Sequence, residues 1–390
     1  MKICVLSTID CRGGAAKVAW ELRENLKKEG HQVATFVRYK YSDEADVFVI
    51  PRKRYQDWLV KIFANDLIFA RSKYILKTKE FLEADIIHCH NLHSNFFDLA
   101  LLKHMSKLKP VIWTMHDLWA ITGYASDSVT RKNPNKKRFL LYLWDNTQNL
   151  LEKKSKIYRN SKLTIIAVSD WMKKEVQNSV LGMQKIIRIY NGIDTSVFTK
   201  KDKIKTRQKL GLPLDKKIVA FGTKGWHTVE KIIETTPKDS NLYFLSIGNS
   251  NVKTLYPHYK STEHLTDKNS VAEYLGAADV LLYPTQGDSF GLTAAEAIAC
   301  GTPVVAYAID ALPEIINHTK NGYLAVPDSQ EDLKRGMEYF VNLPQDQYAF
   351  LSSEMSNDIA NRFSNKKMYE EYKKLYNEIL SKKENPTSLK

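Results

Sequence analysis

Nowhere in the 390 residues does an uninterrupted apolar run approach the roughly 20 that a membrane-spanning helix requires. The longest candidates, such as residues 280–283, are strand-sized, so no bilayer-spanning segment is expected. Cysteine is scarce. Cys4, Cys11, Cys89 and Cys300 show no C-x-x-C spacing, and a chain this long needs no disulfide framework, so reduced thiols and a cytoplasmic setting are expected. Residues 1–7 look briefly like a secretory n-region, but the apolar stretch is short and Asp10 and Arg12 close it, so they read as a strand. With 16 Gly and 12 Pro the composition excludes collagenous and low-complexity classes, and 43% hydrophobic with 26% charged residues fits an ordinary globular protein. Acidic residues are outnumbered: 58 Lys plus Arg against 44 Asp plus Glu leave a net +14, a surface that attracts polyanions, phosphorylated ligands or an anionic leaflet.

At about 100 to 200 residues per domain, the length predicts two domains. Short β-rich runs alternate with amphipathic helical patterns: a strand at 2–7, a helix over 15–29, strands at 32–37, 85–88, 111–115 and 163–168, a helix from Asp170, and a strand at 186–190. Such alternation predicts parallel sheets with crossover helices. Residues 195–217 interrupt it with a polar, Lys-rich stretch punctuated by Gly211 and Pro213, after which new strands open at 218–221, 243–247, 280–283 and 304–307. The fold class is therefore α/β, with a seam near residue 195 and two Rossmann-like domains facing each other, 1–195 and 196–365. A last helix, 366–382, carries Met368, Tyr372, Leu375, Tyr376 and Ile379 on one stripe and is expected to pack back on the N-terminal domain.

Three segments could carry chemistry. Residues 8–15 join the first strand to the first helix, and Gly13 and Gly14 would let backbone N–H groups approach an anion at the positive helix N-terminus. A plain strand-to-helix turn explains the same glycines. The segment is not G-x-G-x-x-G, so a nicotinamide or flavin cofactor gains little support. In the second segment, His116 ends the strand 111–115 at its carboxyl edge, where open α/β sheets bind ligands; a purely structural histidine is the alternative. Nearby, His88, Cys89, His90 and His93 invite a metal reading, yet residues 88 and 90 share a strand face that 89 opposes. No metal is expected there, and His90 or His93 is expected to line a cleft.

The third segment, 287–305, runs loop, helix, strand. Asp288 and Glu296 stand 296 − 288 = 8 positions apart, one before the helix 292–300 and one within it, so both can face one crevice at its N-terminus. A carboxylate there can grip vicinal hydroxyls while helix N–H groups receive phosphate. Alternatively, Asp288 is a helix-flanking acid and Glu296 a solvated one.

Gly13-Gly14, Trp113-Thr114-Met115-His116-Asp117, Asn191-Gly192-Ile193-Asp194 with Phe198, Lys224-Gly225, and residues 288–301 followed by Thr302-Pro303-Val304-Val305 occur together here. Over nearly its whole length the chain thereby resembles the retaining, GT-B-type nucleotide-sugar glycosyltransferases of glycosyl transferases group 1, or family four. Asn91-Leu92-His93 with the Trp-Thr-Met-His-Asp segment resembles enzymes of bacterial capsule, exopolysaccharide and O-antigen assembly. The resemblance implies transfer, with retention, of a hexose-type sugar from a UDP- or GDP-linked donor on domain 196–365 to a glycan or polyprenyl-pyrophosphate-linked acceptor on domain 1–195. It gives Glu296 the ribose hydroxyls, and Asp288 with His116 the sugar hydroxyls. Gly13, Gly14, Lys224, Gly291 and the backbone at Leu292 and Thr293 then hold the diphosphate, and His90 and His93 lie on the acceptor side. Two departures stand out: the family usually has Glu where Asp288 stands, and an Arg before the Lys-Gly pair, whereas this chain reads Phe221-Gly222-Thr223-Lys224. Trp226-His227-Thr228 could supply a substitute.

No Asp-x-Asp pair occurs in the chain, so no divalent metal and no other cofactor is expected; Lys224 and helix N-termini would neutralise the diphosphate. Two basic, aromatic-rich stretches, 52–79 and 131–144, suit the inner face of an anionic membrane, or else form solvated helix faces. No helix-turn-helix, zinc or RNP signature accompanies the charge, so nucleic acid is not an expected partner. Rival readings are a nucleotide-sugar epimerase or other GT-B enzyme, and a non-catalytic nucleotide-sugar-binding homologue.

Overall fold

The computed structural model describes residues 1–51, 58, 67, 72–123, 125, 126, 128, 147–248 and 254–384. The basic stretch at 131–144 lies outside these residues, as do 52–57, 59–66 and 68–71 of the stretch at 52–79. By their internal contacts the residues fall into two compact units, Met1–Asn191 with Met368–Lys390, and Gly192–Lys367.

Seven strands of the first unit, β1 (Lys2–Ile9), β2 (Gln32–Tyr39), β3 (Val47–Val49), β4 (Ile86–Cys89), β5 (Val111–Met115), β6 (Leu163–Ala167) and β7 (Lys185–Arg188), form one sheet in the order 3-2-1-4-5-6-7. Every pairing in it is parallel. Parallel neighbours require crossovers, which α1 (Gly14–Lys28), α2 (Lys79–Leu82), α3 (Leu101–Leu108), α4 (Thr147–Arg159) and α5 (Asp170–Gln177) help to provide. Helices on both faces explain why β4 and β5 are buried at every position and read as continuous apolar runs. Cys4, Leu6, Phe36, Ile87, Cys89, Trp113 and Ile165 lie at the centre of this core.

The second unit repeats the plan with β8 (Lys217–Phe221), β9 (Leu242–Ser246), β10 (Tyr259–Ser261), β11 (Val280–Tyr283), β12 (Val304–Tyr307) and β13 (Gly322–Ala325), all parallel, in the order 10-9-8-11-12-13. Its helices are α6 (Lys203–Leu210), α7 (Trp226–Glu234), α8 (Lys268–Ala277), α9 (Leu292–Ala299), α10 (Leu312–Ile315), α11 (Gln330–Val341) and α12 (Gln345–Phe363). Phe221, Phe244, Leu282, Val305, Tyr307, Leu333 and Phe340 fill the core. A buried ion cluster supports it from one side: Asp279 accepts from Lys203 Nζ at 2.9 Å, Arg207 Nη2 at 2.6 Å and the Ile218 backbone N–H at 2.7 Å.

The strand order reverses between β1 and β4 in one sheet and between β8 and β11 in the other. In open α/β sheets the loops beyond the carboxyl ends of such strands form the ligand crevice. The last helix, α13 (Asn365–Glu384), begins at the end of the second unit and packs within the first. Met368, Tyr369, Tyr372, Leu375 and Tyr376 are buried along one stripe, and Lys373 pairs with Glu29 at 2.7 Å. Among the described residues no helix is long and apolar enough to cross a membrane.

Three strands went unread in the sequence. β3 and β10 are edge strands of three residues, and β13 opens on Gly322, so none offers a periodic run long enough to register.

Candidate active site

In the second unit, the loops after β8 and β11 lead into α7 and α9, and both helices begin at a glycine. Gly225 and Gly291 are the N-caps, with no side chain bonded to the first-turn N–H groups. Elsewhere Asp202, Asp267 and Ser329 cap α6, α8 and α11 by accepting from the backbone. Glycine is required at both site caps: Gly225 sits at φ +71 and a Cβ there would meet the Pro284 carbonyl oxygen at 2.1 Å, while Gly291 sits at φ +97 with Leu312 Cδ2 2.8 Å from its Cβ position. Two helix N-termini are thus left to face an anion with their N–H groups uncapped.

Lys224, just before α7, reaches Asp288 Oδ2 at 2.7 Å, and Tyr283 OH donates to the same oxygen at 2.6 Å. Asp288 Oδ1 accepts from the N–H groups of Phe290 at 3.2 Å and Gly291 at 2.8 Å. A carboxylate offers about four acceptor positions, and these contacts fill them. Within the chain these contacts fold the loop ahead of α9 and hold Lys224 against Asp288. Burial alone would raise the Asp288 carboxyl, but Lys224, Tyr283 and the Phe290 N–H hold it below the usual range. Burial and the charges of Asp288 and Glu296 push the Tyr283 phenol well up, with Thr293 bonded to it. Glu296 is half-buried on α9.

In the first unit, Gly13 caps α1 without a side-chain bond, at φ 89. The loop that presents it is pinned by Asp10, whose carboxylate accepts from the N–H groups of Cys11, Tyr41 and Ser42. Desolvation opposes ionisation of Asp10, yet those N–H groups hold its carboxyl below the ordinary value. Arg12 stacks over Tyr41, 4.3 Å from the ring centre.

Next to this loop in the sheet stand the ends of β4 and β5. His116, 7% exposed, shares a hydrogen bond of 3.0 Å from its Nε2 to His90 Nδ1. His90 is only 2% exposed and is the buried partner of His116. His93 is more open, with its Nε2 3.4 Å from Asp117 Oδ2 and its Nδ1 bonded to Ser94 Oγ. Burial pushes the His116 imidazole down to about 4, so it is neutral at physiological pH. The loop after His116 is folded around buried Lys154, whose Nζ donates to the carbonyls of Trp119, Thr122 and Gly123 at 2.6, 3.0 and 3.3 Å.

Each unit thus holds its own group: Gly13, Gly14, His90, His93 and His116 in the first, Lys224, Asp288, Gly291, Leu292, Thr293 and Glu296 in the second. Sequence reasoning missed Asp10, Tyr283 and Lys154. The position of the first two at the carboxyl ends of strands was a usable signal; for Lys154, in the middle of a helix, none existed. Among the described residues no group of three or more His, Cys, Asp or Glu side chains could hold a metal ion, and all four cysteines are free.

Two doubly wound parallel units, each with a glycine-capped helix at its switch point, define the GT-B class of fold. A family model described as Glycosyltransferase Family 4 matches residues 12–197, and one described as Glycosyl transferases group 1 matches residues 202–362; the chain belongs to this glycosyltransferase family. N-acetyl-alpha-D-glucosaminyl L-malate synthase of Bacillus anthracis is 23% identical over 229 residues, 55% of this chain and 60% of that one, so the match spans less than two thirds of that relative. An uncharacterized 41.2 kDa protein in the cps region of Klebsiella pneumoniae is 25% identical over 325 residues, 80% of this chain and 83% of that one. Sucrose-phosphate synthase from Thermosynechococcus elongatus superposes with a TM-score of 0.71 at 18% identity, over 98% of this chain and 100% of that one. Anabaena HepE, solved in complex with UDP, gives 0.69 at 17% identity, over 97% and 100%. At such identities the structural likeness is one of fold.

Proposed function

We propose that this glycosyltransferase moves a hexose-type sugar from a nucleoside-diphosphate donor to a glycan or lipid-linked acceptor, with retention at the anomeric carbon, in bacterial surface polysaccharide assembly. The observation that carries the reading is the Lys224–Asp288–Tyr283 cluster beside the uncapped start of α9, a preorganised cation with helix N–H groups where a diphosphate would develop charge. UDP in the Anabaena HepE structure and the cps-region relative from Klebsiella point the same way.

In this reading Lys224, the Leu292 and Thr293 N–H groups and the Gly13–Gly14 turn hold the diphosphate. Glu296 binds the ribose hydroxyls, His116 a sugar hydroxyl, and His93 lies on the acceptor side. The bond between the anomeric carbon and the diphosphate oxygen breaks, leaving the electron pair on the diphosphate and an oxocarbenium-like sugar. The acceptor oxygen bonds to the anomeric carbon from the same face and its proton passes to the departing diphosphate. Stabilising the leaving charge and holding both reactants in line is the protein's share of the work. No metal is needed in this scheme, so chelation by EDTA leaves turnover unchanged. A thermal-shift screen of UDP-, GDP- and dTDP-sugars identifies the donor, since only ligands that favour the native state raise its melting point. NMR of the product then reads the anomer. An inverted linkage, or no nucleotide-sugar raising the melting point, ends the proposal.

A further inference from the structure

We propose that His90 is the positioning residue for His116, fixing its tautomer and ring orientation, and that helix α13 anchors the row of side chains that holds His90. The row begins at the C-terminal helix. Tyr376 OH is hydrogen-bonded to His88 Nδ1 at 2.8 Å, and His88 Nε2 to Thr114 Oγ1 at 2.8 Å. Thr114 Oγ1 in turn meets Tyr372 OH at 2.9 Å, so both ring nitrogens of His88 are held by a network that two tyrosines of α13 close. The His88 ring lies against the His90 ring with centroids 4.2 Å apart, and His90 Nδ1 meets His116 Nε2 at 3.0 Å. Trp113 Nε1 donates to the His90 carbonyl at 2.7 Å, which fixes the backbone beneath the ring.

Between two neutral imidazoles only one hydrogen occupies a nitrogen–nitrogen contact. If His90 Nδ1 carries it, His116 Nε2 is the acceptor and the hydrogen of His116 sits on Nδ1. If His116 Nε2 carries it, His90 Nδ1 is the acceptor and His116 Nδ1 is bare. The two rings therefore share one tautomer, both Nδ1–H or both Nε2–H, and His90 decides whether His116 Nδ1 is a donor or an acceptor. All members of the row are buried, so no solvent molecule stands in for a lost partner. Resting on the role given above to His116, this makes His90 the group that sets how His116 meets a sugar hydroxyl, without touching the sugar itself.

The test is 15N NMR of histidine-labelled full-length protein. The expected spectra show His90 and His116 neutral and in the same single tautomer. Opposite tautomers, or rapidly mixing ones, overturn the inference. His90→Asn places an amide near the position of Nδ1 and retains a single His116 tautomer, whereas His90→Phe releases it into a mixture. If His90→Phe does not fold, the parent spectra and His90→Asn decide the matter. Calorimetric titration with UDP-glucose supplies the second readout: His90→Phe weakens binding on the order of tenfold, His90→Asn recovers most of it, and Tyr376→Phe costs less than either. An unchanged His116 tautomer in His90→Phe overturns the positioning role and leaves the functional reading intact. Unaltered UDP-glucose binding in His116→Ala instead removes the role of His116, while the spectra still decide the pairing of the two rings.

Discussion

Lys224 Nζ and Asp288 Oδ2 are 2.7 Å apart, although 64 residues separate them in the chain. The lysine side chain is 53% exposed and the aspartate 12%, so the pair places an accessible cation on a fixed anionic base. Its use is geometric: a charge already oriented needs no reorganisation when a leaving group develops.

Lys224→Ala is expected to lower release of nucleoside diphosphate from its donor by about a hundredfold, the usual cost of losing one preorganised stabilising group. Asp288→Asn keeps the shape but drops the charge that orients the lysine, for a loss of about tenfold. A double-mutant cycle checks the coupling, since strictly additive losses would show that Asp288 does not act through Lys224.

Glu296→Ala is expected to weaken binding of the free nucleoside diphosphate. A hydrogen bond to a charged group contributes about 1.5 to 3 kcal/mol, hence a Kd raised about 10- to 150-fold in calorimetric titration. Unaltered affinity for UDP and GDP alike would take the ribose contact away from this residue.

The glycines at the caps separate strain from contact. Gly225→Ala combines positive φ with a Cβ 2.1 Å from the Pro284 oxygen, whereas Gly211→Ala, at φ +61, meets nothing within 4 Å. Gly211→Ala is expected to cost about 1 kcal/mol, and Gly225→Ala well above that, by denaturant unfolding. Equal losses would mean that the contact with Pro284 is easily relieved.

Stability should depend on pH through the buried histidines. Burial pushes His88 down to about 3, His116 down to about 4 and His90 well below its ordinary 6.5. The unfolded chain takes up protons below pH 6.5 that the native chain refuses, so stability is fully present above 6.5 and falls as pH drops toward 4, by at most about 1.4 kcal/mol per pH unit for each histidine. His88→Gln is expected to flatten that slope by one proton, read from unfolding curves between pH 7 and 4.5.

Asp279→Ala leaves Lys203 and Arg207 without their buried partner. A loss of about 3 to 5 kcal/mol is expected, the range for breaking a buried ion pair from one side. Thermal unfolding measures it; a loss below about 1 kcal/mol would show that water reaches the two cations.

Much of this was legible in the chain. The boundaries of β5, β11 and β12 match the sequence reading residue for residue, because short apolar runs bounded by turn residues specify a strand buried on both faces. The helix α9, with one acid before it and one within it, was legible for a similar reason: glycine before it and the apolar face within it are local signals. The partners that fill the four acceptor positions of Asp288 were not legible, because they come from β11, from the loop after β8 and from its own turn. Spacing reports only the last of these.

The sequence by itself determined the alternation of strands and helices, the glycine caps, the stripe on α13 and the family, since each is written within a few neighbouring residues. Only the tertiary structure decided that Tyr376, His88, His90 and His116 stand in one row. That row depends on β4 and β5 being neighbours and on where the last helix docks. Strand order follows from crossovers and packing, long-range choices that no local period encodes.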